Sequence, residues 1–255
     1  MLLAIDMGNT NITLGVYDGD KLCLVSRLAT DTTRMRDQYA SDLLSLFTLH
    51  GLDIAQLDGA IVSSVVPTLD HVICEAVEFI VGFRPLLVGP GTKTGINIRI
   101  DNPAQLGADL LVGAVAGAAK YGSPCVIWDL GTATTVSVVG EGNAFLGGAI
   151  MPGIKTSLKS LVSNASLLHD VSFDPPKSVV GTNTVACMLS GSVYGTAAMM
   201  DGMNRRIFAE LGKEVPLVVT GGLAKVVLPY CEHAAHYDDN LLLEGLRLIY
   251  EKNKK

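Results

Sequence analysis

Apolar residues along this chain fall into two spacings. Short apolar or alternating blocks over 2–5, 12–17 and 21–28 open the sequence, separated by polar turns at 6–11 and at Asp18-Gly19-Asp20. Such blocks bounded by an Asp-Gly turn predict strands joined as hairpins. The spacing then changes: Leu43, Leu44, Leu46 and Phe47 fall on one broad face of a helix predicted over 39–49. A strand over 59–65 is broken by Val66-Pro67, and a helix over 69–81 and a short strand at 85–88 follow.

The second half repeats this opening. Cys125-Val126-Ile127-Trp128 reads as an apolar strand, followed by Asp129-Leu130-Gly131-Thr132-Ala133-Thr134-Thr135, a strand over 136–139 and the turn Gly140-Glu141-Gly142. A shift of 123 positions places Asp6 on Asp129, Gly8 on Gly131 and Gly19 on Gly142. Two unrelated hairpins are the plain alternative. The coincidence of charged and turn-forming residues favours an internal duplication, with α/β domains over 1–117 and 118–255. Further helices are predicted over 110–119, 155–168, 185–211 and 241–253, and a strand over 216–220 leads into Gly221-Gly222.

Composition narrows the function classes. Hydrophobic residues make up 49 % of 255, and a net charge of -6 is too small to keep the chain open. With 19 Lys+Arg and no basic cluster beyond the Lys252 to Lys255 tail, binding of nucleic acid through phosphate neutralisation is not expected. The uncharged stretch 178–200 has the length of a membrane span, but Thr182, Asn183, Thr184, Ser190, Ser192 and Thr196 interrupt it. It reads as a loop and a buried helix. No basic segment precedes the first strand, so a cytoplasmic protein that meets no membrane is expected. Five cysteines without a CxxC pair predict buried reduced thiols. Among His50, His71, His169, His233 and His236 no ligand spacing stands out, and His233 and His236 read as surface residues. Gly113/Gly117 and Gly191/Gly195 are spaced to let helices approach closely, with subunit packing as the other reading.

Strand, Asp-x-Gly-x-Thr/Ala, strand can cradle phosphate. Glycine admits close backbone N–H groups, threonine and asparagine add donors, and a strand-end aspartate can hold hydrated Mg²⁺. One such sequence is often a plain turn. Two in a duplicated setting, with Thr220-Gly221-Gly222 after a third strand, point to phosphate. The absence of GxxxxGK[ST] excludes a P-loop enzyme.

This constellation resembles the superfamily of sugar kinases, actin and chaperone ATPases. That implies an α/β fold of duplicated actin-like, sugar-kinase-like (ribonuclease H-like) domains, with mixed sheets flanked by helices. Nine segments together resemble type III pantothenate kinase over essentially the whole chain. They are Asp6-Met7-Gly8-Asn9-Thr10, Thr30-Asp31-Thr32-Thr33-Arg34, Ser63-Ser64-Val65-Val66-Pro67, Gly107-Ala108-Asp109 and Asp129-Leu130-Gly131-Thr132-Ala133. Met151-Pro152-Gly153, Gly181-x-Asn183-Thr184, Thr220-Gly221-Gly222 and Leu243-Glu244-Gly245-Leu246 complete the set. The resemblance implies phosphorylation of pantothenate by ATP, the first committed step towards coenzyme A.

It further implies that Asp6, Met7, Gly8, Asn9, Thr10, Asn11, Ile12, Thr13 and Thr132 bind ATP, with Asp6 near Mg²⁺. Gly107, Ala108, Asp109, Leu110 and Thr184 would line the pantothenate pocket, and Asp109 would be the general base. Asp129 resembles a ligand for K⁺ or NH₄⁺, and a homodimer is implied. Taken alone, Asp109 also reads as an acid in a helix's first turn, and Asp129 as a second Mg²⁺ ligand through water. Leu110 and Ile100 stand where many relatives carry arginine and tyrosine. A catalytically drifted homologue acting as a regulatory protein, or another small-molecule kinase of the superfamily, is the alternative.

Overall fold

The computed structural model describes residues 1–165, 168 and 172–254. Among these the chain forms two compact units, each with one mixed sheet. The first contains β1 (Leu2–Met7), β2 (Asn11–Asp18), β3 (Lys21–Ala29), β4 (Gly59–Ser64) and β5 (Leu86–Leu87), in the order β3-β2-β1-β4-β5. β1 is central, antiparallel to β2 and parallel to β4. Leu2, Leu3, Ala4 and Ile5 are therefore all buried, which is why that strand reads as a continuous apolar run. Helices α1 (Arg36–Leu49) and α2 (Pro67–Val81) contribute Tyr39, Leu43, Phe47, Leu69, Ile73 and Val77 to a core with Leu3, Ile5 and Val62. Pro67 opens α2, where its missing N–H is harmless, and left-handed Gly82 ends it.

Helix α3 (Ala108–Tyr121) carries the division, which falls between Ala116 and Gly117. The second unit has β6 (Asn97–Ile98), β7 (Cys125–Leu130), β8 (Ala133–Gly140), β9 (Ala144–Pro152), β10 (Leu217–Thr220) and β11 (His236–Tyr237), in the order β11-β10-β7-β8-β9-β6. Its helices are α4 (Ile154–Asn164), α5 (Thr184–Leu211) and the short α6 (Ala224–Val227). Fully buried Trp128 on β7 donates from Nε1 to Asn204 Oδ1 on α5 at 2.9 Å. No helix among the described residues is long and apolar enough to cross a membrane.

The duplicated hairpins are present in both units. Asp6 pairs with Thr13 and Asp129 with Thr135, so the second loop is one residue shorter. Gly19 and Gly142, matched by the sequence shift, both adopt left-handed backbone at φ 58° and 65°.

Several expectations change. A halving at 117/118 misplaces the last helix, α7 (Leu241–Asn253), which belongs to the first unit, while Asn97–Ile100 belongs to the second. α7 packs there through Leu243, which lies against Gly15, and Tyr250, which lies against Gly59. β9 was not expected from the pattern. α4 ends at Asn164, short of the predicted 168, and residues 166 and 167 lie outside the described ones, as do His169 and Lys255. Only Cys74 and Cys125 are buried; Cys23, on an edge strand, and Cys187, in the first turn of α5, are exposed.

His233 is not a plain surface residue. Asp201, buried on α5, accepts from Glu232 N at 2.9 Å and His233 N at 3.3 Å, and its Oδ1 lies 2.9 Å from His233 Nδ1. Burial opposes ionisation of Asp201, but the hydrogen bonds from His233 and Glu232 together hold its carboxyl below the usual range. Gly117 does permit a close approach, since a Cβ there would lie 2.8 Å from Ile127. Gly191 and Gly195 face open space instead.

A close contact between two helices of the first unit yields a prediction. A Cβ at Gly245 would meet the Val112 carbonyl oxygen of α3 at 2.2 Å, so α7 and α3 touch backbone to backbone. Gly245→Ala is expected to destabilise the protein by roughly 1–3 kcal/mol, read as a lower urea midpoint. An unchanged midpoint would rule out this crossing.

Candidate functional site

In the first unit β1 and β2 meet at a tight loop. Gly8 N donates to Asn11 O at 3.0 Å, and a Cβ at Gly8 would lie 3.2 Å from that oxygen. Asn9, Thr10 and Asn11 are exposed at the tip, while the side chains of Met7 and Ile12 are buried in the core. Those two offer the loop only their backbone. Asp6 stands at the end of β1, opposite Thr13 and beside Ser63 of β4 in register. Ser63 Oγ donates to Asp6 Oδ1 at 2.5 Å.

Burial pushes the Asp6 carboxyl up to about 6; the Ser63 hydrogen bond opposes the shift, and repulsion from Asp109 adds to it. The structure thus brings Asp6 and Asp109 together from positions far apart in sequence. Asp109 lies in the first turn of α3, where its Oδ1 accepts from Leu110 N at 2.8 Å. A Cβ at Gly107 would fall 2.5 Å from that oxygen, so glycine there leaves room for the carboxylate. Burial raises Asp109 as well, against the hydrogen bond from Leu110. Ala108 and Leu110, which flank it, are half-buried. Two neighbouring acids with raised affinity for protons are suited to cation binding and to proton abstraction.

The second unit repeats the strand-end acid in different surroundings. Asp129 is half-buried on β7, and Gly131 N donates to Ala133 O at 3.0 Å. A Cβ at Gly131 would lie 3.5 Å from Asp129 Oδ1, and one at Gly221 (φ 96°) only 2.6 Å. Two glycines therefore approach this carboxylate. One hairpin loop away, Thr134 Oγ1 is buried without a hydrogen-bond partner. Thr134 pairs with Leu130, so its hydroxyl lies on the other face of the sheet from Asp129. Thr132 is exposed, and its carbonyl accepts from Gly153 N at 3.1 Å and Thr156 Oγ1 at 2.7 Å. A Cβ at Gly153 would lie 2.4 Å from the Gly131 and Thr132 oxygens, which accounts for glycine in Met151-Pro152-Gly153.

Thr184 is the exposed first residue of α5, capped by Asn183 Oδ1 accepting from Ala186 N at 2.9 Å. Leu110 belongs to the first unit and Ile100 to the second. Sequence reasoning noticed Ser63 only as part of a motif. A serine inside an otherwise apolar strand, pairing with the strand that carries Asp6, was the available signal.

Residues 2–206 match the family model of type III pantothenate kinase. The type III pantothenate kinase of Exiguobacterium sp. (strain AT1b) is 44 % identical over 255 residues, covering 100 % of both chains. Among solved structures, (R)-2-hydroxyglutaryl-CoA dehydratase component A from Acidaminococcus fermentans aligns with a TM-score of 0.61 at 13 % identity, covering 100 % of this chain and 99 % of that one. The inorganic polyphosphate/ATP-glucomannokinase of Arthrobacter sp. strain KM aligns at 0.50 and 16 % identity, covering 98 % and 97 %. At such identities these two speak for the fold alone, the duplicated actin-like and sugar-kinase-like architecture. With the motifs in one order from end to end and nearly half the residues shared with a full-length relative, the chain belongs to the type III pantothenate kinase family.

Proposed function

We propose that this chain transfers the γ-phosphoryl group of ATP to the primary hydroxyl of pantothenate, giving 4′-phosphopantothenate, the first step of coenzyme A formation. The observation that carries this reading, beyond family membership, is the Asp6–Asp109 pair. Phosphoryl transfer needs the acceptor hydroxyl oriented and relieved of its proton, and the phosphate charge neutralised. Asp109, held at the mouth of α3 beside Gly107, is the base that takes the proton as the hydroxyl oxygen bonds to phosphorus and ADP leaves.

The loop from Asp6 to Thr13 is the phosphate loop of the first unit, and the hairpin loop with Thr132 is its counterpart in the second. Gly107, Ala108 and Leu110, around Asp109, are the pantothenate-contacting residues of the first unit, and Thr184 is the candidate contact of the second by family resemblance. A kinase of this fold works with a divalent cation and ATP; Mg²⁺ at Asp6 supplies charge neutralisation. Asp6 suits that duty, because its carboxyl is desolvated beside a second acid. K⁺ or NH₄⁺ at Asp129 is what the family resemblance implies, and the close approach of Gly131 and Gly221 to its carboxylate supports it. Such an enzyme would work in the cytoplasm, where ATP is made.

The same reading includes a homodimer. A groove of about 470 Å³ runs beside α4 and α5, lined by Leu161, Met188, Gly191, Gly195 and Met199. Val179 and Val180 are 61 % and 76 % exposed. Such an open apolar surface fits a second copy of the chain.

Four outcomes are expected. Asp109→Asn should lower kcat roughly 10²–10⁴-fold while ATP still binds, in an assay of ADP formation that also offers glycerol and acetate as acceptors. Near-wild-type turnover would reduce Asp109 to an acid of the first helical turn. In the wild type the rate should fall with pH along a limb above the ordinary carboxylate range, because a base of raised pKa must lose its proton before it can accept one.

The cation reading is tested with Na⁺, K⁺ and NH₄⁺ buffers at fixed ionic strength. Activity should depend on K⁺ or NH₄⁺ and collapse in Asp129→Ala; equal rates in all three would reject the site. Light scattering at micromolar concentration should give twice the chain mass, and a species of single-chain mass would sink the dimer.

A further inference from the structure

A loop that receives phosphate on backbone N–H groups must turn its carbonyl oxygens elsewhere, since their lone pairs repel the anion. In the first unit one residue takes up two such carbonyls. Thr30, directly after β3, donates from Oγ1 to Gly8 O at 2.7 Å and from its backbone N to Thr10 O at 3.0 Å. The sequence shift of 123 maps Thr30 onto Gly153, directly after β9. Gly153 N donates to the matching carbonyl, Thr132 O, at 3.1 Å, and the hydroxyl comes from Thr156, whose Oγ1 reaches the same oxygen at 2.7 Å. Each loop is thus held by one backbone N–H and one threonine hydroxyl from the chain just past the third strand of its hairpin.

Thr30 is anchored in turn. The hydroxyl of fully buried Tyr39 donates to Asp31 O at 2.9 Å and accepts from Asp31 N at 3.0 Å. Thr33 N and Oγ1 close the turn on Asp31 Oδ1 at 2.9 and 2.7 Å. The core therefore fixes the segment that fixes the loop.

We propose that Thr30 and Thr156 are positioning residues for ATP: their hydroxyls hold loop carbonyls away from the phosphates and so set nucleotide affinity, leaving the acceptor alcohol unaffected. The proposal rests on the reading of these two loops as the phosphate cradle. A merely structural pair of turn bonds would alter stability alone.

Thr30→Val and Thr156→Val keep the side-chain shape and remove only the hydroxyl. Each is titrated with MgATP by calorimetry without acceptor, and assayed with ATP and pantothenate varied separately. The Kd and KM for ATP should rise about five- to tenfold, the size of one lost hydrogen bond. The KM for pantothenate should stay at its wild-type value, and Thr30→Ser and Thr156→Ser should restore ATP binding. An unchanged Kd for ATP in the folded valine variants overturns the proposal, as does a serine variant no better than valine. If Thr30→Val does not fold, Tyr39→Phe, which removes only the hydroxyl holding Asp31, should weaken ATP binding to a smaller degree; unchanged binding there overturns the role of Thr30. A wild type that binds no MgATP defeats the cradle reading itself. One that binds it but leaves pantothenate untouched defeats only the acceptor.

Discussion

Two carboxyls withdrawn from water within reach of each other's charge are the constraint on the first unit. Asp6 stands at the end of a strand buried on both faces, and Asp109 enters from the first turn of α3. Burial raises the Asp6 carboxyl to about 6, and the charge of Asp109 adds to the rise. Ser63, delivered by the parallel register of β4, pulls the balance back towards the carboxylate. Gly107 has no side chain because the second carboxylate occupies that space. The central position of β1, the serine in β4 and the glycine before α3 are one arrangement seen from three elements.

The second unit carries an acid at the equivalent strand end. Asp129 occupies the same place on its hairpin as Asp6, yet here Gly131 and Gly221 come close to its oxygen. A serine donor beside one acid and two close glycines beside the other give the two carboxylates different surroundings.

What the sequence disclosed follows from periodicity. Both hairpins, α1, α2, α5 and α7 were legible because their burial is one-sided or continuous over enough residues to show a period. β9 was hidden because its alternation is broken. Leu146 is an extra residue in the pairing with β8, Gly147 is left-handed at φ 123°, and Ile150 faces outward. β6 and β11, two residues each, are too short for any period. The place of α7 in the first unit depends on Leu243 meeting Gly15 and Tyr250 meeting Gly59, contacts that spacing along the chain does not encode. Likewise His233 finds Asp201 across a loop, through two backbone N–H groups that any residues would offer. For the site, the motifs marked the candidate residues. The approach of Asp6 to Asp109 and the partner of each carbonyl became visible only in the fold.

What the two halves share most closely is a hydrogen bond rather than a residue. Thr30 N reaches Thr10 O and Gly153 N reaches Thr132 O at nearly equal length, though one donor residue is a threonine and the other a glycine. The difference has a steric cause. A side chain at 153 would collide with the Gly131 and Thr132 oxygens of the shorter loop, so the hydroxyl there must come from elsewhere, and α4 supplies it from Thr156. The longer first loop leaves room for a side chain at 30, and one residue then donates both bonds. A one-residue difference in loop length thus accounts for where each unit finds its second donor. Aligning the halves by residue identity misses that equivalence, whereas aligning them by the carbonyl each donor satisfies reveals it.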